Sequence, residues 1–433
     1  MNGSTALLTD HYELTMVQAA LASGHADRRC VFEAFARRLP DGRRYGVVAG
    51  TGRVLEALRD FRFGDAELEF LRERGVVDAR TLEWLAGYRF SGDVWGYAEG
   101  EVYFPGSPLL VVESTFAEGV VLETLVLSVL NHDSAVASAA SRMTAAAGDR
   151  PCIEMGSRRT HEESAVAAAR AAYIAGFGST SNLEAGRRHG IPTAGTAAHS
   201  YTLLHDDERT AFANQLASLG LGTTLLVDTY DVPGAVELAF ELAGPELGAV
   251  RLDSGDLVEQ AHEVRAQLDR LGATSTRIVV TSDLDEHAIA ALQAAPVDSY
   301  GVGTSVVTGA GHPAAGMVYK LVSRENGSGV MEGVAKASKD KTSVGGRKFA
   351  LRRRSPDGVA EAEIVGIDER PEDDGDDRAL LVPLVEHGEV VATTDARSAR
   401  EHHAMARAEL PRPALRLSHG EPAIPTTYLD DWS

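Results

Sequence analysis

Lysine is scarce in this 433-residue chain. It accounts for five of the 42 basic residues, and all five (Lys320, Lys336, Lys339, Lys341 and Lys348) fall in one short window. Cysteine is scarcer still. Cys30 and Cys152 lie far apart with no Cys-x-x-Cys, which excludes a disulfide framework or a zinc-ribbon site. No uncharged apolar run approaches the roughly 18 residues of a membrane helix, and the first ten residues lack a basic segment followed by an apolar core. The expectation is a soluble, non-secreted, cytoplasmic protein. Gly-x-Gly-x-x-Gly is missing and no Gly-Lys pair occurs anywhere, so any nucleotide binds by a device other than a Rossmann fingerprint or P-loop. His-Glu-x-x-His is absent too, because His161-Glu162-Glu163-Ser164-Ala165 fails at the second histidine. A formal net charge of −21 argues against nucleic acid or anionic membrane as partner.

The rest of the composition is that of an ordinary globular protein, 44% apolar and 24% charged. The length suits two or three domains. The first third reads as mixed, with helical patterns at 52–59 and 65–72 and strands at 92–98, 101–104 and 109–113. A long helix begins near Glu118, carried by Leu122, Leu125, Val126, Val129 and Leu130 at helical spacing. From Cys152 to about Leu321, short apolar strands alternate with amphipathic helices. The strands are expected at 153–155, 191–196, 224–228, 249–253, 277–282 and 299–303. Helices are expected at 160–175, 207–219, 234–242, 257–271 and 286–294. Such alternation implies a parallel sheet, open or closed into a barrel, with its chemistry at the carboxyl ends of the strands. After a break at 324–329 come the lysine window, an acidic loop, a hairpin turning at His387-Gly388 and a final helix near 398–410.

Polar clusters follow the predicted strands. Arg251-Leu252-Asp253-Ser254-Gly255-Asp256 is compatible with a helix cap at Asp253 or Ser254, or with a metal site. Gly301-Val302-Gly303-Thr304-Ser305 is a tight turn, or a set of backbone N–H groups offered to a phosphate. Gly156-Ser157-Arg158-Arg159 places two arginines where a helix is expected to start, a position that does not favour cations unless an anion sits there too. Gly195-Thr196-Ala197-Ala198-His199-Ser200 sets a histidine past a strand, while Asp228, Asp231, Asp283 and Asp285 supply carboxylates for a metal or for helix caps. Together these point to a phosphorylated sugar or nucleotide substrate, with magnesium held by one or two carboxylates and substrate phosphates.

Ordered end to end, these motifs resemble the nicotinate phosphoribosyltransferase family. The matching elements begin with Leu8-Thr9-Asp10-His11-Tyr12-Glu13-Leu14-Thr15-Met16 and Leu122-Glu123-Thr124, and run through the clusters above to Ser179-Thr180-Ser181-Asn182, Ser282-Asp283-Leu284-Asp285-Glu286 and Tyr319-Lys320-Leu321. One departure is Gly345-Gly346-Arg347-Lys348, where relatives often carry a proline. The resemblance implies an α/β fold with an irregular, incomplete barrel (126–326) beside a second α/β domain made from both termini (1–125 with 327–433). It implies transfer of nicotinate to 5-phosphoribosyl pyrophosphate, giving nicotinate mononucleotide and pyrophosphate with ATP hydrolysis, in NAD salvage. It also implies a homodimer in which Tyr12 reaches a neighbour's site.

On the same resemblance, His199 is the phosphohistidine and acts with Asp253 and Arg251 in catalysis. Asp253 and Asp256 hold Mg²⁺. Tyr12, Arg158, Ser181, Thr196, Arg251, Asp283, Gly301, Gly303 and Thr304 bind substrate. Arg251 suits the nicotinate carboxylate and Tyr12 a stack on the pyridine ring. The nicotinamide-type enzyme is a rival, but it carries an aspartate where this chain has Ser181, and losing that carboxylate favours an acid over an amide. A quinolinate-type enzyme would need more basic residues, and a non-catalytic sensing barrel would be expected to lose His199 or the carboxylates. All three substrates are anions, so a −21 chain needs local positive charge; the arginine pair and the lysine window are its sources.

Overall fold

The computed structural model describes residues 4–336, 343–393 and 395–429. The chain divides into two compact units, Met1–Ser138 with His312–Ser433, and Ala139–Gly311.

The first unit is built from both ends of the sequence. Its larger sheet runs, in order, Met331–Gly333, Met317–Glu325, Arg29–Ala36, Leu110–Thr115, Asp93–Tyr97, Leu381–Glu386 and Glu389–Val390, every neighbour antiparallel. Arg29–Ala36 is buried on both faces except at its first residue. Its sequence, Arg-Cys-Val-Phe-Glu-Ala-Phe-Ala, is accordingly a near-continuous apolar run rather than an alternating one. Phe32 stacks on Tyr319 with centroids 5.2 Å apart, anchoring a core that includes Phe61, Phe63 and Tyr88. The expected terminal hairpin forms, with His387 and Gly388 both at positive φ (50° and 80°), the pair of left-handed residues that a two-residue turn requires. The long helix is broken once, into Phe116–Val120 and Glu123–Ala147. Phe116–Ala147 is apolar enough by length and composition to cross a membrane, but 67% of its apolar window is buried inside the protein, as in a core helix.

The second unit holds the expected parallel sheet. Its order is Ser179–Thr180, Cys152–Glu154, Ser299–Val302, Arg277–Ser282, Ala249–Leu252, Thr224–Leu226. Read along the chain, the strands follow one another around a curl that is left open between Ser179–Thr180 and Thr224–Leu226. This is an incomplete α/β barrel. Helices after the strands start on aspartate caps: Asp231 accepts from Gly234 N (2.9 Å), Asp256 from Glu259 N (3.1 Å) and Asp285 from Ala288 N (2.8 Å). The cap in the Arg251–Asp256 cluster is therefore Asp256, not Asp253 or Ser254.

One expected strand is missing. Residues 191–196 make a single bridge, Thr193 to Thr180, and then leave the sheet. Thr180 N donates to Pro192 O and Thr180 O accepts from Ala194 N, but the strand of Thr180 is two residues long, Pro192 has no N–H to give, and most residues from Pro192 to Ala198 are exposed, so the ladder stops there.

Candidate active site

The polar residues of the second unit sit where the parallel strands end. Asp228 follows Thr224–Leu226 and is 3% exposed at its side chain. Its Oδ2 accepts from Asp253 N and from Ser254 Oγ, both at 2.9 Å, which locks the turn after Ala249–Leu252. Its Oδ1 is buried and has no hydrogen-bond partner. Thr281, near the end of the next strand, donates its hydroxyl to Asp253 Oδ1. Three successive strand ends thus fix the two carboxylates.

His199 opens the short helix His199–Leu203 and faces this pair. Its Nε2 lies 3.9 Å from both Asp228 Oδ1 and Asp253 Oδ2, and its Nδ1 lies 3.2 Å from Thr229 Oγ1. At 40% side-chain exposure the ring remains reachable from solvent. One ring nitrogen thus faces two carboxylates and the other meets a hydroxyl.

Arg251 supplies the positive charge beside them. Its Nη1 donates to Thr196 Oγ1, while its buried Nε has no partner. Burial pulls the guanidinium below its ordinary pKa; Asp253 and Asp228 oppose that, and Arg158 adds like-charge repulsion. A half-buried, half-satisfied guanidinium with a second arginine near it has the chemistry to take an anion. Arg158 and Arg159 lie in the turn 156–161, not in the helix, which starts at Glu162 with His161 as its cap. The conflict with the helix dipole therefore does not arise.

The remaining expected residues fall as follows. Ser181, Asp283 and Thr304 are exposed beyond strand ends, and Thr196 is exposed in the loop before His199. Gly301 is required by packing, since a Cβ there would lie 2.5 Å from Thr281 Cγ2 and 2.8 Å from Met155 Sδ. Gly303 precedes the helical turn Thr304–Val307. Asp256 spends Oδ1 on its cap, leaving one oxygen for other ligands. Tyr12 belongs to the terminal unit, on helix His11–Ser23, 45% exposed, its hydroxyl pushed up in pKa by burial and by Glu123. Sequence reading missed Thr229, Thr281 and Glu154, all of which hold other residues in place.

This geometry can be set beside known proteins. The model of the nicotinate phosphoribosyltransferase (NAPRTase) N-terminal domain matches residues 7–131. The nicotinate phosphoribosyltransferase pncB1 of Mycobacterium tuberculosis is 58% identical over 429 residues, covering 97% of this chain and 94% of that protein. This chain belongs to the nicotinate phosphoribosyltransferase family. The Bacillus subtilis nicotinate phosphoribosyltransferase is 37% identical over 360 residues, covering 81% of this chain and 73% of its own length. The crystal structure of human nicotinic acid phosphoribosyltransferase superposes with a TM-score of 0.81 at 27% identity, covering 96% of each chain.

As a nicotinate phosphoribosyltransferase family member, the chain has anionic substrates to attract, and the lysine window was expected to help. The described lysines of the window differ in their settings. Lys339 and Lys341 lie outside the described residues. Lys336 is exposed. Lys320 has its Nζ 3.8 Å from Glu123. Lys348 is buried, its Nζ 2.8 Å from Glu33, so its charge serves the fold.

Proposed function

We propose that this chain couples nicotinate phosphoribosylation to ATP hydrolysis through phosphorylation of His199. The transfer follows from the family: nicotinate and 5-phosphoribosyl pyrophosphate give nicotinate mononucleotide and pyrophosphate, a step in NAD biosynthesis. The observation that supports the coupling is the setting of His199, with one ring nitrogen 3.9 Å from each of two carboxylates and the other 3.2 Å from the Thr229 hydroxyl, in a side chain that solvent still reaches.

Magnesium fits the donor set, because Asp228 Oδ1 is a buried carboxylate oxygen without a hydrogen-bond partner and Asp253 Oδ2 lies on the same side of His199. Asp253, with the second oxygen of Asp256, would hold the ion through substrate phosphates. When bound, it would neutralise pyrophosphate as a leaving group. The chain's own residues do the rest. Arg251, with Arg158 near, holds the pyridine carboxylate, and that fixes the ring nitrogen in line with the anomeric carbon. Tyr12 of a second copy stacking on the ring is part of the same reading. A Tyr12→Ala variant should raise KM for nicotinate about tenfold, and an unchanged KM would remove Tyr12 from the site.

The test is product formation from nicotinate, nicotinamide and quinolinate, each with and without ATP. Nicotinate should be turned over best, and faster with ATP. Equal rates with and without ATP would end the coupling, and preference for another pyridine would end the substrate assignment.

Ser181 tests the preference for an acid. Two carboxylates ~4 Å apart at an effective dielectric near 20 repel by about 4 kcal/mol before relaxation. Ser181 is exposed, so solvent softens this, and Ser181→Asp should shift the nicotinate to nicotinamide ratio of kcat/KM about tenfold toward the amide. An unchanged ratio would mean that position 181 does not face the substrate's carboxylate.

A further inference from the structure

Glu154 is 1% exposed, at the end of the strand Cys152–Glu154, and no cation pairs with it among the described residues. Burying a carboxyl without a partner charge is costly. An apolar residue would fill the place in the strand at less cost, so the carboxyl's contacts are what need explaining. They all go to substrate-side turns. Oε1 accepts from Gly156 N, which begins the turn carrying Ser157 and Arg158. Oε2 is hydrogen-bonded to Thr180 Oγ1, and that same oxygen accepts from Asn182 N at 3.0 Å. The main chain repeats the link, with Ser181 N donating to Glu154 O at 2.8 Å. Asn182 then closes the circle, its Nδ2 donating to Ser157 Oγ at 3.0 Å.

A third strand end joins the other two. Met155 N donates to Val302 O at 2.8 Å, and a Cβ on Gly156 would lie 2.9 Å from Gly303 O and 3.0 Å from Glu154 Oε1. A side chain at position 156 would therefore collide with both the Gly303 turn and the Glu154 carboxyl.

We propose that Glu154 is a positioning residue for the pyridine acid, its buried carboxyl setting one spacing among the turns that carry Arg158, Ser181 and Gly303. It touches no substrate itself. This inference rests on the assignment of Arg158 and Ser181 to the nicotinate side. Burial also raises the Glu154 carboxyl above the usual carboxylate range, against the hydrogen bonds from Thr180 and Gly156.

The experiment compares Glu154→Ala, Glu154→Gln and Thr180→Val in the full-length enzyme. It reads kcat and KM for nicotinate, ATP labelling of His199, and melting temperature. Glu154→Ala should lower kcat/KM for nicotinate about 100-fold, mainly through KM, the size of effect that a displacement of about 1 Å produces. His199 labelling should stay within about threefold, because Asp228, Asp253 and Thr281 come from other strands. Glu154→Gln should restore activity to within about fivefold of wild type, since its amide oxygen can accept from Gly156 N and its NH₂ can donate to Thr180. Thr180→Val should show about a tenfold loss, and decides the matter if Glu154→Ala does not fold.

Equal losses of nicotinate turnover, His199 labelling and melting temperature in Glu154→Ala would make the role merely structural and overturn the proposal. So would normal nicotinate kinetics in Glu154→Ala or in Thr180→Val, or a Glu154→Gln variant as poor as the alanine. If wild type itself forms no nicotinate mononucleotide, it is the parent assignment that has failed.

Discussion

A His199→Ala enzyme should take no acid-labile label from the γ-phosphate of ATP. Its phosphoribosyl transfer falls to the rate that wild type shows without ATP. The argument is geometric. His199 is the imidazole that meets both Asp228 and Asp253, at 3.9 Å each, and its second nitrogen lies at a hydroxyl rather than at a buried carbonyl. A solvent-reachable imidazole flanked by carboxylates is the kind of side chain that can accept a phosphoryl group. The chain has no P-loop to offer a different device. Radiolabelling followed by acid treatment checks the result. Label that persists in His199→Ala would move the acceptor elsewhere, and ATP stimulation that persists would separate coupling from phosphorylation.

Lys348→Ala should lose about 3–5 kcal/mol of unfolding free energy, the penalty for stranding one half of a buried ion pair. Lys348 and Glu33 are 1% and 2% exposed at the side chain, with Nζ and Oε2 2.8 Å apart. Lys348 also donates to Val344 O at 2.8 Å, so its ammonium closes the approach to the strand Lys348–Arg354. Removing it leaves the Glu33 carboxyl without its ammonium partner inside the sheet strand Arg29–Ala36, where burial already pushes that carboxyl up in pKa. Denaturant unfolding measures the loss. The double variant Glu33→Gln with Lys348→Met should recover most of it, because two neutral groups of similar volume strand no charge. A single-variant loss below about 1 kcal/mol would mean that water reaches the pair.

Much of this protein was readable without coordinates. A βα alternation and its period are local properties, so the strands at 277–282 and the helix at 257–271 stand where patterning puts them. The aspartates that start helices are local too, since a cap involves only the next three residues. The family was legible because its motifs are short, ordered and spread along the whole chain.

Other features depended on partners distant in sequence. The stretch 191–196 has the composition of a strand, but strand formation needs an edge to pair with, and its neighbour offers only Thr180. Lys348, beside Gly345-Gly346, reads as the lysine of its window suited to a structural role, but its partner Glu33, more than 300 residues away, is visible only in the fold. Asp228 reads alone as another cap or metal carboxylate, yet its task of holding Asp253 and Ser254 is set by a strand that pairs beside its own. Glu154 gave no signal at all, because a carboxylate at the end of an apolar run means nothing until the turns it joins are brought together. Sequence determined which residues have the chemistry for this reaction, since donor types and local periodicity are written residue by residue. Tertiary structure decided which of them meet, because the cost of burying a charge and the reward of pairing it depend on the far side of the chain.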